Sequence, residues 1–509
     1  MERAYRSSDV RTAEEPLLAA GEPLMARAAY ALSQRALKYL SSHGLRAPGS
    51  TVLLIVGRGN NGGDALYAGM HLARRGLAVR AVYYESCLEE GLEAAKAAGV
   101  RAFDLAGRDD ADELLRELAA WAGIWIDGIL GIGASGGARD PYANWINILN
   151  EERASSPMEP YVIAVDIPSG LGVDDGTVPG PVLRADATVA MGVAKPAHLL
   201  PPACHYVGDV DILDLDFYQY LPAPAALQLR DADVRDLWDV PGVDDHKYTR
   251  GVLGMLTGSA RYPGAAVLGV GGALATGPGM VRYLGGVADA VMAQYPEVVL
   301  ETGRVQAWVL GSGLDAADLD RASRIFNEAL TEKIPVVLDA GAIELVHNMD
   351  VPSTVVLTPH EGEVTALLQA RGEKISRDQV HANPTRAARL AATLTGATVL
   401  LKSAVDVVAA PDGPLYAGVR APAWRATAGA GDVLAGILGA LLASYGDELQ
   451  ELGQGYGIPA RLAAAATHIH ARAAAYASGV GSGVGYPISA SKIVTALEPT
   501  IARILNPES

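Results

Sequence analysis

The sequence predicts an α/β protein of two domains, each built on a mostly parallel sheet. Three observations predict it. Short apolar, β-branched runs alternate with segments of helical period along nearly the whole chain. The length, 509 residues, exceeds what one ordinary core supports. The 57 glycines are scattered among apolar runs rather than gathered in a low-complexity tract, as many tight strand–helix turns require.

In the first half, residues 12–43 carry Leu17, Leu18, Leu24, Met25, Ala28, Leu32, Ala36 and Leu40 at helical spacing. The run TVLLIV at 51–56 reads as a buried parallel strand. It leads straight into GRGNNGGD at 57–64 and a helix with Ala65, Leu66, Ala68, Met70 and Leu72. Residues 79–84 form a second strand; 92–98 and 111–120 form helices. A strand over 124–126 ends at Asp127 and a glycine-rich run at 128–137. Another over 161–165 ends at Asp166, Ser169 and Gly170, and strands at 187–190 and 210–212 complete the series. Asn60, Asn61, Asp64, Asp127, Asp166 and Ser169 thus all fall just after a strand, at the edge where open α/β sheets bind ligands. Three such loops, each with an acid and glycines, point to a cleft. The alternative is that each Asp caps a helix and each Gly serves a turn. The 128–137 run does not obviously open a long helix, so it is not by itself a dinucleotide fingerprint. Residues 221–240, with LPAPA and little periodicity, read as a linker between domains at 1–220 and 241–509.

The second half repeats the alternation, with strands at 252–257, 298–300, 307–310, 336–338, 354–357 and 398–401. Strand 406–410 enters a hairpin turn at Pro411-Asp412-Gly413. Helices are expected at 265–276, after TPHEGE at 358–363, and as an alanine-rich pair at 460–478 and 489–504. The stretch TAGAGDVLAGILGALLA at 427–443 runs a loop of small residues into an apolar helix. Glycines let backbone N–H groups converge there, and the helix adds unpaired N–H groups and the positive end of its dipole. The result is a site for an anion or a developing oxyanion, with Asp432 at its rim as a base for a substrate hydroxyl. The plainer reading is that Asp432 is an ordinary cap. Lys402, at a strand end, meets either a phosphate or only solvent, and His360 has a plain reading as a loop histidine. His468 and His470 lie two apart on a helix, face different ways, and read as structural.

Half the residues are hydrophobic and 19% are charged, a globular composition. Net charge is −17, from 41 basic and 58 acidic residues, which argues against nucleic acid or an anionic membrane as partner. Cys87 and Cys204 have neither zinc-site spacing nor the number for a disulfide framework. The opening residues are polar and mixed in charge, unlike a signal peptide, and Gly and Pro interrupt the apolar runs before they reach membrane-spanning length. A cytoplasmic enzyme is the expectation. Alanine-rich helical faces at both ends suggest a homo-oligomer.

Both halves resemble known families. The first resembles the NAD(P)H-hydrate epimerase domain through GRGNNGGDA at 57–65, DGILGIG at 127–133 and VDIPSGL at 165–171. The second resembles the NAD(P)H-hydrate dehydratase domain of the ribokinase-like superfamily. The matching stretches are HKYTRG at 246–251, GSARYPGAA at 258–266, GSGL at 311–314, LDAGAI at 338–343, LTPHEGE at 357–363, LKSAVDVVAAPDG at 401–413 and TAGAGDVLAG at 427–436. Fused in this order, the two sets are specific to the bifunctional NAD(P)H-hydrate repair enzymes. The resemblance implies an N-terminal Rossmann-like three-layer sandwich and a C-terminal ribokinase-like α/β domain. It implies that the first interconverts the two epimers of NADHX and NADPHX, and that the second dehydrates the S epimer with ADP or ATP, which magnesium can accompany. Carried over by residue, Asn60, Asn61, Gly62, Gly63 and Asp64 would bind the hydrate. So would Gly131, Ile132, Gly133, Ala134, Ser135, Gly136 and Gly137. Asn61, Asp127 and Ser169 would surround a potassium ion, and Asp166 would do acid/base work. In the second domain Ala265, Gly313 and His360 would line the hydrate site. Lys402, Ser403, Ala404, Val405, Asp406 and Gly431 would hold the nucleotide, and Asp432 would be the acid/base residue. Four positions depart from the usual motifs: Ala65 for Gly, Ser312 for Pro, Gly341 for Asp and Ser403 for Gly. Two other readings compete: a ribokinase-like small-molecule kinase using the same anion hole and Asp432, and an N-terminal domain that serves only as a binding scaffold.

Overall fold

Alternation along the strand Thr51–Val56 organises the first unit. Val52, Leu54 and Val56 pack into one helical layer, and Leu53 and Ile55 into the other. The first layer holds the helices Leu24–Ser42, Asn60–Arg74 and Glu89–Ala97; the second holds Ala111–Trp121 and Tyr142–Ser155. The sheet between them is wholly parallel. Its spatial order is Arg101–Asp104, Ala78–Tyr83, Thr51–Val56, Ile124–Gly128, Tyr161–Val165, Ala187–Met191 and Asp209–Leu213. This is the expected doubly wound, three-layer sandwich. The strand order reverses between Thr51–Val56 and Ile124–Gly128, the switch point at which such sheets open a crevice.

The computed structural model of the chain describes residues 1–133, 136–452, 457–480 and 483–507. It divides into two compact units, Arg3–Ala226 and Leu227–Ser509, the latter including Met1–Glu2. The segment 221–240 contains a strand, Ala226–Gln228, and a short helix, Asp231–Asp236. Leu227, Leu229 and Val234 there are buried in the core of the second unit, which is why the stretch has structure despite its weak periodicity.

The second unit is also a three-layer α/β structure. Its sheet includes, side by side, Leu415–Ala417, Val407–Ala409, Thr398–Leu401, Val355–Leu357, Val336–Leu338, Ala307–Leu310, Val252–Leu256 and Met280–Tyr283. The last six are parallel, and the hairpin joining Val407–Ala409 to Leu415–Ala417 is antiparallel, as its turn predicts. The strand expected at 298–300 is not formed: Val299 makes only an isolated bridge to Arg282. The edge position belongs instead to Met280–Tyr283, whose Gly-Pro-Gly approach hid it from a reading by apolar runs. One face of the sheet is covered by the helices Pro263–Thr276, Ala430–Ser444, Ile458–Ser478 and Ala490–Leu505. The alanine-rich faces at the C-terminus that suggested an oligomer are therefore packed within the unit. Among the described residues no helix is long and apolar enough to cross a membrane.

The helix Ala430–Ser444 lies against Pro263–Thr276 at very close range. A Cβ at Gly436 would stand 2.0 Å from the carbonyl oxygen of Gly269. An exposed Gly→Ala change normally favours a helix by about 1 kcal/mol. At this crossing overpacking wins, so Gly436→Ala is expected to destabilise by about 1–3 kcal/mol. Thermal unfolding followed by calorimetry should show the transition of the C-terminal unit several degrees lower; an unchanged or raised midpoint would refute the packing argument.

Candidate active sites

In the first unit, three loops leave the C-terminal edge of the sheet beside the switch point. Asn61 lies in the first turn of the helix Asn60–Arg74. Its amide donates to the carbonyls of Leu130 at 3.1 Å and Val165 at 2.6 Å, tying all three loops together. Its Oδ1 faces Gly131, where an added Cβ would stand 2.3 Å away. Asp127, at the end of its strand, is fully buried. It accepts from the Ser169 hydroxyl at 2.6 Å, the Ser169 amide at 2.8 Å and the Ile129 amide at 3.3 Å. Ser169 Oγ in turn accepts from the Leu130 amide at 2.9 Å. Burial raises the Asp127 carboxyl above the ordinary range, against the lowering effect of these bonds. No lysine or arginine pairs with it among the described residues. Asn61, Asp127 and Ser169 are thus gathered as a cluster of hard oxygen donors around an uncompensated carboxylate, the chemistry a potassium ion fits. Among the described residues no three His, Cys, Asp or Glu side chains form a metal-binding group.

Asp166 follows directly. It adopts a left-handed conformation, with φ 63°. Its Oδ1 accepts from the Met191 amide at 2.8 Å and is ion-paired to Lys195 Nζ, which also donates to the Met191 carbonyl at 2.8 Å. Asp64 and Glu14 lie close enough to feel this pair. Burial, then Asp166 and Glu14, holds the Asp64 carboxyl well above the ordinary range; burial also raises Glu14, with Lys195 opposing. Gly62 and Gly63 are buried in the helix start, whereas Asn60 is exposed. Ile132 is partly buried against the core, and Gly137 lies beside Gly180. Gly133 has open space around its Cα, as does Gly136, which takes a φ of 77°. Ala134 and Ser135 lie outside the described residues. Lys195 and His198 are missing from the set that sequence reasoning assembled. The available signal was a lysine and a histidine within the otherwise largely apolar run 187–204, where the structure buries almost every side chain.

In the second unit, Asp432 stands in the first turn of the helix Ala430–Ser444, which starts after Gly429 in a left-handed conformation, φ 89°. The structural centre is Asp339, at the end of the strand Val336–Leu338. Asp339 is buried and accepts from Lys402 Nζ at 2.7 Å, Thr358 Oγ1 at 2.7 Å and Ser312 Oγ at 2.6 Å. Lys402 therefore points inward to a carboxylate rather than out to solvent. Burial works against the charge of Asp339, but Lys402 and the two hydroxyls more than offset it and hold the carboxyl below its ordinary range. Asp432 lacks such contacts. Burial, then Asp339, pushes it up to about 6, against Lys402. Gly431 adjoins Lys402: a Cβ there would be 3.5 Å from Nζ.

Gly313, with φ 68°, packs against Ala265, where an added Cβ would come within 2.7 Å of the Ala265 Cβ. His360 bridges in parallel to Lys402 and caps the helix Glu361–Ala370: its Nδ1 accepts from the Gly362 amide at 3.0 Å, while the ring stays exposed. In the 402–406 loop only Ala404 is exposed; Val405 and Asp406 are buried. Asp406 is held by Arg425 at 2.6 Å and accepts from the Ser403 amide at 3.0 Å, so its side chain shapes the loop from within. His468 bonds Asp231 at 2.6 Å and His470 is buried, in keeping with structural roles. Arg425 is a residue that sequence reasoning did not place in this site; the Asp339 loop stood out as a strand-end loop and as part of the LDAGAI match, but with no role given to Asp339 itself. Ser312, a departure from the usual motif, supplies one of the bonds to Asp339.

In each unit a buried carboxylate and a lysine meet at the C-terminal edge of parallel strands, which defines the class: a two-unit α/β protein with a candidate ligand site in each unit. Residues 21–197 match the YjeF-related protein N-terminus family and residues 253–491 the NAD(P)H-hydrate dehydratase family. The chain is 38% identical to the bifunctional NAD(P)H-hydrate repair enzyme of Mycobacterium leprae, over 99% of this chain and 100% of that one. It is 41% identical to the NAD(P)H-hydrate epimerase of Clavibacter michiganensis, over 42% of this chain and 89% of that one. The ADP/ATP-dependent NAD(P)H-hydrate dehydratase of Bacillus subtilis is a structural neighbour at TM-score 0.46 and 22% identity, covering 54% of this chain and 97% of that one. The chain belongs to the bifunctional NAD(P)H-hydrate repair enzyme family.

The carboxylate pair in the second unit gives a test with opposite signs. Removing the negative neighbour in Asp339→Asn should bring Asp432 below about 6, and removing the positive one in Lys402→Met should carry it above about 6. Carbon-detected NMR titration of the Asp432 side chain reads both; shifts in the same direction would break the electrostatic account.

Proposed function

We propose that this chain repairs hydrated NADH and NADPH: the first unit interconverts the R and S epimers, and the second removes water from the S epimer at the expense of ADP or ATP. The observation that supports the reading is a buried carboxylate–lysine ion pair at each sheet edge, Asp166 with Lys195 and Asp339 with Lys402, with Asp432 near enough to feel the second pair.

Epimerisation inverts one hydroxyl-bearing carbon. One balanced route breaks the C–O bond, with a proton given to the leaving hydroxyl, and forms a new one from the other face, with a proton taken from the entering water. Asp166, at the sheet edge beside Lys195, would carry that exchange. Asn60 to Asp64 and the 131–137 loop would hold the substrate around it. Asn61, Asp127 and Ser169 would hold potassium, which supplies a fixed positive charge beside an otherwise uncompensated carboxylate.

In the second unit, Ala265, Gly313 and His360 would line the hydrate pocket. The amide of Gly431, the helix N-terminus and the loop from Lys402 through Ser403, Ala404 and Val405 to Asp406 would receive the nucleotide phosphates, which magnesium can accompany. Hydroxide is a poor leaving group. With Asp432 taking its proton, the substrate hydroxyl can accept a phosphoryl group from the nucleotide, which is left one phosphate shorter; the C–O bond then breaks to release phosphate while the neighbouring carbon gives up a proton to form the double bond, so that the substrate has lost the elements of water.

The test follows the near-ultraviolet absorbance of reduced nicotinamide with mixed-epimer NADHX, ADP or ATP, and potassium or a bulky monovalent cation in its place. Wild type should recover all the NADH. Asp432→Asn should lose dehydration by about 100-fold or more while still interconverting epimers. Asp166→Asn should stall at the S fraction, as should exchange of potassium. Because Asp432 must be ionised to act as base, the dehydration rate should fall as pH drops through about 6. Full recovery by Asp432→Asn would sink the assignment, and net phosphorylation of a small alcohol without NADH formation would favour the kinase reading.

A further inference from the structure

Lys195 is a fully buried ammonium group, and nothing in the proposed reaction so far uses it. It sits just before the short helical turn Pro196–Leu199, and Asp166 lies 29 residues earlier at the end of another strand. His198 joins the two. Its Nδ1 faces the backbone amide of Lys195 at 2.9 Å, and its Nε2 faces the backbone carbonyl of Asp166 at 2.8 Å. A backbone amide can only donate, so Nδ1 is the acceptor and carries no proton. The proton is then on Nε2, which donates to the Asp166 carbonyl. A second proton on the ring would face the Lys195 amide head-on. Burial, then Lys195, agrees with this by holding the imidazole down at about 4, so the ring is neutral across the physiological range.

The bridge therefore grips the peptide of Asp166 at the residue whose φ is left-handed, a conformation a side chain bearing Cβ adopts only when its surroundings impose it. Lys195 grips the side chain of the same residue. Both recorded bonds to the Asp166 carboxylate fall on Oδ1, from Met191 and from Lys195. Oδ2 has no partner among the described residues.

We propose that Lys195 and His198 are positioning residues for the epimerase carboxylate, fixing Asp166 in its left-handed turn and occupying one of its two oxygens so that Oδ2 alone meets the substrate. The proposal rests on Asp166 as the acid/base group of the first unit and deepens that reading. The surrounding charges sharpen it. The groups facing the pair are Asp64 from the helix Asn60–Arg74, Glu14 with its neighbour Arg11 from the helix Ser7–Ala19, and neutral His198. Among the described residues, Lys195 is the one buried cation among these three carboxylates. A carboxylate stripped of that cation in this setting takes up a proton more readily.

The experiment measures epimerisation by the full-length enzyme across pH, separating kcat from KM, with dehydration of pure S substrate as the check that the chain is intact. In Lys195→Met, kcat should fall at least 100-fold with KM within about threefold, and the acid limb of the kcat profile should move to higher pH. Lys195→Arg keeps the charge but not the point contact: the limb should return to its wild-type place while kcat recovers only in part. His198→Asn, which can still accept from one side and donate to the other, should retain far more kcat than His198→Leu. If Lys195→Met fails to fold its first unit, Lys195→Arg decides, and wild-type kcat there overturns the proposal. So does a folded Lys195→Met with unchanged kcat and limb, which would leave Lys195 as plain charge compensation. A wild-type enzyme that does not epimerise at all, or an Asp166→Asn variant as fast as wild type, would instead remove the assignment of Asp166 itself.

Discussion

Charge burial at the edge of an apolar sheet is the constraint from which both sites follow. A carboxylate taken out of water must be neutralised, paired or heavily hydrogen-bonded. Each unit solves this with one lysine and short donors. Asp339 takes Lys402 and the hydroxyls of Thr358 and Ser312; Asp166 takes Lys195 and the amide of Met191. Asp432 and Asp64, left outside these contacts, have carboxyl groups that rise, as do Asp127 and Glu14 in the first unit. In Asp339 with Asp432 and in Asp166 with Asp64, the compensated and uncompensated acids are thus two halves of one arrangement: the first anchors the cation, and the second is raised by the burial and by the first acid's charge.

Backbone strain falls in the same places. Asp166 immediately follows the strand Tyr161–Val165, and Ala340, with φ 50°, immediately follows Asp339. In both units the chain turns left-handed within one residue of the buried acid. A strand that continued straight would carry the carboxylate past the edge into solvent. The abrupt turn keeps it at the mouth, where neighbouring strands can reach it: Met191 and Lys195 in one unit, Ser312, Thr358 and Lys402 in the other.

What the sequence revealed follows from range. The strands at 51–56, 307–310 and 398–401 were legible because burial on both faces leaves an unbroken apolar run. Met280–Tyr283 was not, because glycine and proline precede it and Arg282 interrupts it; Arg101–Asp104, with two charges in four residues, was missed for the same reason. The acids and glycines of the site were legible because loop, turn and helix start are contiguous. The partners were not. Nothing local to Lys195 says that it meets Asp166, and nothing local to Asp339 says that it receives a lysine 63 residues away. Lys402 was open between phosphate and solvent because a strand end permits both, and the fold turned it toward a third partner.

The two proposed acid/base groups, Asp166 and Asp432, differ in the way their reactions require. Interconversion of epimers must run in both directions, with the same atoms serving as leaving group and nucleophile. An acid/base group that gives one proton and takes one back ends each turnover in its starting state, so the same carboxylate serves either direction. Elimination driven by a nucleotide runs one way and needs a base only while the hydroxyl is activated. Asp432, raised by burial and by Asp339 and flanked by a helix N-terminus, is ionised at neutral pH yet close enough to its midpoint to accept a proton readily. Placing both in one chain supplies them in equal number, so that the epimer the second site cannot use is converted by an equal complement of the first.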